Sequence, residues 1–93
     1  MKNERMMVYY LGRVQGVGFR FNACALAAKR KLVGYVQNEH DGSVYLVAEG
    51  PKKELEGLLC DIRGSRLGGN IKQAQVDWAD AKGGFATFVI NYT

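Results

Sequence analysis

The 93-residue chain has one proline, one histidine and two cysteines, and each scarcity excludes something. With His40 alone and Cys24 and Cys60 in no CxxC arrangement, a zinc or iron–sulfur site is not expected, and no metal or other cofactor is implied. The two thiols read as reduced, small hydrophobes. No uncharged apolar run approaches the roughly 20 residues that a bilayer span needs. The start, Met1-Lys2-Asn3-Glu4-Arg5, lacks the hydrophobic region of a signal peptide, so a cytoplasmic location is expected. Internal repeats and low-complexity tracts are missing. So is GxxxxGK[ST], and the glycines from Gly12 to Gly18 do not keep the GxGxxG intervals.

What is present suits one small globular domain over 1–93, because 47% apolar residues can supply a single core but not two. The net charge of +4 favours anionic partners in general without choosing among them. The densest basic cluster, Lys29-Arg30-Lys31, falls where a helix should end and reads as a solvated terminus complementing the helix dipole.

Met6–Leu11 reads as a strand, stopped by Gly12. Phe19, Ala23, Leu26 and Ala27 form an apolar stripe on a helix running to about Leu32. Strands at 33–38 and 43–48 flank Glu39-His40-Asp41-Gly42, whose Asp-Gly pair signals a hairpin. Pro51 suits the first position of a second helix carrying Leu55, Leu58, Leu59 and Ile62, with Gly64 as a left-handed terminator. Strands at 71–78 and 85–92 complete the chain. The order strand, helix, strand, strand, helix, strand, strand implies an α+β ferredoxin-like sandwich: an antiparallel sheet, two helices on one face, and a closing hairpin. The helices would then run antiparallel, leaving a Cys24–Cys60 disulfide geometrically possible.

Chemistry concentrates in Gly12-Arg13-Val14-Gln15-Gly16-Val17-Gly18-Phe19-Arg20. Glycines without a Cβ let successive amides turn inward as an anion nest, and a helix starting at Phe19 adds its free N–H groups and positive dipole end. Arg20 on the first turn supplies a bidentate guanidinium. On spacing alone the same residues also make a turn with two solvated arginines. In this topology the second strand runs parallel to the first and carries Asn38 to the loop's end of the sheet. An amide there can hold a water, or simply help turn the hairpin.

The literal segments GRVQGVGFR at 12–20, GYVQN at 34–38, DGSVYLVAEGP at 41–51 and FVINY at 88–92 closely resemble the acylphosphatase family. That resemblance implies hydrolysis of a carboxylic-phosphoric anhydride. It puts the phosphoryl group on the amides of Gln15, Gly16, Val17, Gly18 and Phe19 and on Arg20, and the attacking water on Asn38. An acyl phosphate as substrate, inorganic phosphate as product and a monomer acting alone are its implied partners and state. The family often has a basic residue before its asparagine and an arginine in the terminal segment, where this chain has Gln37 and Asn91.

The reaction makes chemical sense on those residues. A carboxylate is a good leaving group, so alignment and charge neutralisation matter more than acid–base help. His40, in the predicted turn, and Cys24, inside a helix, are poor candidates for base and nucleophile. Two rival readings stand beside this one. A non-catalytic acyl-phosphate or phosphate-binding module would share the loop. An RNA-binding sandwich would use Phe85 and Phe88, but the aromatic motif of such domains belongs on the third strand rather than at the terminus.

Overall fold

The computed structural model describes residues 2–92. Its elements are β1 (Asn3–Gly12), α1 (Phe19–Lys29), β2 (Val33–Asn38), β3 (Val44–Pro51), α2 (Lys52–Arg63), a short 3-10 turn (Gly68–Asn70), β4 (Ile71–Asp80) and β5 (Phe88–Asn91). The sheet order is β4-β1-β3-β2-β5. Four strands pair antiparallel in the ferredoxin-like order, and β5 adds in parallel beside β2.

Alternation along the strands sends Met6, Val8 and Tyr10 of β1 and Val44, Leu46 and Ala48 of β3 to one face. There they meet Phe19, Ala23 and Ala27 of α1 and Leu55, Leu58 and Ile62 of α2, forming the core under both helices. β1 begins three residues earlier than its apolar run because Arg5 lies opposite Glu49 in the β1–β3 register, and its Nε donates to Glu49 Oε2 at 2.6 Å. Cross-strand pairing overrides the weak β propensity of Asn3 and Glu4.

Several expected boundaries move. α1 stops at Lys29, and the chain turns through Lys31 at φ 57, which points Leu32 into the core. Arg30 is not a solvated terminus: its Nε donates to Asp61 at 2.7 Å and its Nη1 to Glu54 at 3.0 Å, clasping α2. Gly57 makes this clasp possible, since a Cβ there would occupy the guanidinium's place. Pro51 precedes the first helical residue of α2, and Gly64 keeps a right-handed φ of −82° rather than a left-handed one.

The closing hairpin does not form, because β4 and β5 lie on opposite edges of the sheet. The intervening segment is tied instead to Glu49, only 3% exposed, which accepts from the amides of Lys82 and Gly83 at 3.0 Å each. Burial raises the Glu49 pKa, but the two amides and the Arg5 guanidinium outweigh it and hold the carboxyl below its ordinary range. Phe85 follows, edge-on to Tyr35 at 5.9 Å and beneath the Arg5 guanidinium at 5.3 Å. Phe88 is buried among core side chains, so the two phenylalanines are packing residues on different surfaces.

Candidate active site

The β1–β4 register shifts between Leu11 and Gly12, and there the chain leaves the sheet. Arg13 is held by its amide, which donates to the Asn70 carbonyl at 2.9 Å. In the loop beyond, Val14 is buried and Val17 packs against the core, while Gly16 and Gly18 face outward with φ of 75° and 82°. Those left-handed angles suit glycine. Gly18 caps α1 without a side-chain hydrogen bond, and the first turn of the helix holds no acidic residue. The positive end of α1 therefore faces outward unneutralised by its own sequence.

Loop, helix and β2 converge on one small cavity of about 150 Å³. Gly16, Gly18, Arg20 and Asn38 form its polar part, and Phe19, Phe21, Ile90 and Tyr92 its apolar wall. The Arg20 guanidinium carbon sits 5.1 Å from the centre of the Tyr92 ring, a cation–π distance. Phe21 and Tyr92 are 76% and 80% exposed, the most exposed large hydrophobic residues described.

Arg20 and Asn38, 18 positions apart in sequence, thus line the same space. Gln15 and Val17 do not line it. The side chain of Gln15 has another place: its Nε2 donates to the carbonyls of Glu39 at 2.8 Å and Ser43 at 2.9 Å, joining the loop to the β2–β3 hairpin beside Asn38. That hairpin is shaped by Asp41, whose Oδ1 accepts from the Ser43 hydroxyl at 2.6 Å and amide at 2.9 Å. Those two bonds hold the Asp41 carboxyl below its usual range. Asp41 therefore builds the turn. His40 is exposed and borders a separate cavity with Tyr9 and Gln75.

Cys24 is also remote from the loop's polar part: its thiol donates to the Phe88 carbonyl at 3.6 Å, and burial pushes its pKa up. Cys24 and Cys60 are both free thiols. The two departures from the family pattern meet each other. Gln37 and Asn91 are partners in the β2–β5 register, and Asn91 Nδ2 donates to Gln37 Oε1 at 3.3 Å. Two positions where the family is often basic are here a neutral, hydrogen-bonded pair that keeps β5 in register.

Phe21, Ile90 and Tyr92 were not among the candidate residues read from sequence. Ile90 and Tyr92 alternate along the strand expected at 85–92 and so fall on one of its faces, but nothing local shows that this face ends at the loop. Among the described residues no three His, Cys, Asp or Glu side chains cluster, and no helix is long and apolar enough to cross a membrane.

A ferredoxin-like sandwich whose first βα loop, first helix and second strand share one glycine-lined cavity beside an arginine defines the class: small anion-accepting α+β domains. Comparison with known proteins narrows it. The family model described as Acylphosphatase matches residues 6–90. An acylphosphatase of Rhodococcus jostii is 42% identical over 92% of this chain and 97% of its own, and one of Salinibacter ruber 40% identical over 91% and 90%. The crystal structure of acylphosphatase from Bacillus subtilis superposes with a TM-score of 0.89 at 34% identity, covering 96% of this chain and 99% of that one. The chain belongs to the acylphosphatase family.

Proposed function

We propose that this chain carries out the reaction its family is named for, hydrolysing acyl phosphates to a carboxylate and inorganic phosphate as a single domain over 1–93. The Arg20 guanidinium and the loop amides of residues 15–19, of which Gly16, Gly18 and Phe19 line the cavity, hold the phosphoryl oxygens, and Asn38 orients the attacking water. The observation that carries this reading is the joint lining of one cavity by Gly16, Gly18, Arg20 and Asn38. Water adds to phosphorus in line as the bond to the carboxylate oxygen breaks. A phosphoryl oxygen takes the water's proton, and the bond's electron pair leaves on the carboxylate. Charge spreads over three equatorial oxygens, which amides and a guanidinium stabilise together.

A cavity of about 150 Å³ has room for a phosphoryl group, and the acyl group then extends along the apolar wall past Phe21 and Tyr92. The stacked Tyr92 ring limits the motion of Arg20 and so reduces the ordering needed when phosphate binds. Free thiols suit a reducing compartment, in keeping with a cytoplasmic location. The test is hydrolysis of benzoyl phosphate against a phosphate monoester, both with EDTA present. Turnover of the first alone supports the reaction and its independence of metal; turnover of neither, or of both equally, overturns the reading.

A further inference from the structure

The residues following α2 bring a second guanidinium to the loop. A methyl group placed on Gly18 would lie 3.3 Å from Nη2 of Arg66, so this arginine sits against the residue that caps α1. Its place is fixed by its neighbours rather than by chance. Ser65 Oγ accepts from Asn22 Nδ2, on the first turns of α1, at 3.0 Å and from the Leu67 amide at 3.3 Å, and donates to the Ile62 carbonyl at 2.7 Å. Gly68 then packs so tightly on the Arg63 backbone that no Cβ fits there. The segment is clamped on both sides of Arg66.

The electrostatics of that placement are one-sided. Arg20, Arg66 and the positive end of α1 share a small region whose helix turn contains no acid. The ion pairs among the described residues engage Lys2, Arg5 and Arg30, and none includes Arg66 or Arg20. Two cations beside a helix N-terminus repel one another in the empty protein, and a phosphoryl dianion between them attracts both guanidinium groups and the helix end, offsetting that repulsion.

We propose that Arg66 is a second anion-recognition residue of this site, attracting the phosphoryl dianion from the outer side of Gly18. The inference rests on the functional reading above. Because Arg66 is exposed and does not line the cavity, its contribution is to capture and affinity rather than to charge developing in the transition state.

The test measures inorganic phosphate affinity by calorimetry, which needs no turnover, together with kcat on benzoyl phosphate. Arg66→Ala should weaken phosphate binding roughly threefold to tenfold at low salt, the size of a partly screened charge near a dianion, with kcat within about twofold of the parent. Arg66→Lys should recover much of the affinity, Arg66→Glu should lose more, and the difference between parent and Arg66→Ala should shrink in half-molar salt. Lys53→Ala, an equal charge change on the first turn of α2 at the far end of the sandwich, should shift affinity much less. An Arg66→Ala affinity equal to the parent's, or no lower than that of Lys53→Ala, overturns the proposal. Absence of acyl-phosphate turnover by the parent overturns the functional reading instead, and the binding comparison still decides whether Arg66 recognises the anion.

Discussion

Replacing Gln15 by alanine removes the side-chain link between the two halves of the site and keeps the loop's backbone amides, Arg20 and Asn38. The Gln15 side chain donates two hydrogen bonds, 2.8 and 2.9 Å long, to the carbonyls of Glu39 and Ser43, and these join the loop to the hairpin. At about 0.5–1.5 kcal/mol each, discounted for partial exposure, their loss should cost about 1.5 kcal/mol. For a chain of this size, that lowers Tm by roughly 6–12 °C. The effect on activity should be the larger one, because displacement of Asn38 relative to the loop by even 1 Å costs up to about 10²-fold in rate. Gln15→Ala should therefore lose roughly 10- to 100-fold in kcat/KM on benzoyl phosphate, measured well below its Tm. Gln15→Glu should be worse, since a carboxylate would face two carbonyl oxygens. Calorimetry gives Tm and initial rates give kcat/KM. A lowered Tm with kcat/KM within twofold of the parent would refute the coupling of loop to hairpin as a catalytic device.

Three further outcomes are expected. Asn38→Ala should lower kcat while sparing competitive inhibition by phosphate; a rise in phosphate Ki equal to the fall in kcat would mean that Asn38 contacts the phosphoryl group. Glu49 has a pKa lowered by folding, so its stabilisation is complete above its ordinary value of 4.5 and is lost as pH falls through the folded value. Glu49→Gln should be less stable at neutral pH and should flatten the acid limb of the Tm–pH profile, whereas an unchanged acid limb would show that another carboxylate sets it. Phe21→Ala should raise KM for benzoyl phosphate about fivefold, the loss of some 40 Å² of apolar contact, and leave acetyl phosphate unaffected; equal effects on both would remove Phe21 from the acyl path.

Elements with a strong local signal were legible in sequence. β2 falls at 33–38 as expected, and the start of α1 at Phe19 follows from the glycines before it. The loop and Arg20 lie in the nine-residue string at 12–20 and Asn38 in GYVQN at 34–38, and the common direction of β1 and β2, both antiparallel to β3, brings Gly16, Gly18, Arg20 and Asn38 to one cavity. What was not legible depends on distant partners. Nothing near Glu49 shows that it will bind the amides of Lys82 and Gly83, and that attachment diverts the chain from a β4–β5 hairpin to the far edge of the sheet. Arg30 reads as a surface charge until α2 presents Asp61 and Glu54. Gln15 reads in sequence as a contributor of one backbone amide to the cradle, and the link its side chain makes from cradle to hairpin has no local signal. Arg66 carried no motif at all; only the clamped connector puts it beside Gly18.

The most direct measurement compares kcat/KM on benzoyl phosphate for the parent and Arg20→Ala, with EDTA present and folding verified by Tm. Loss of one preorganised donor to the transferring phosphoryl group predicts a fall of at least roughly 10²-fold to 10³-fold at little cost in stability. Near-parental turnover by a folded Arg20→Ala protein would contradict the assignment of this loop and its arginine as the site of phosphoryl transfer.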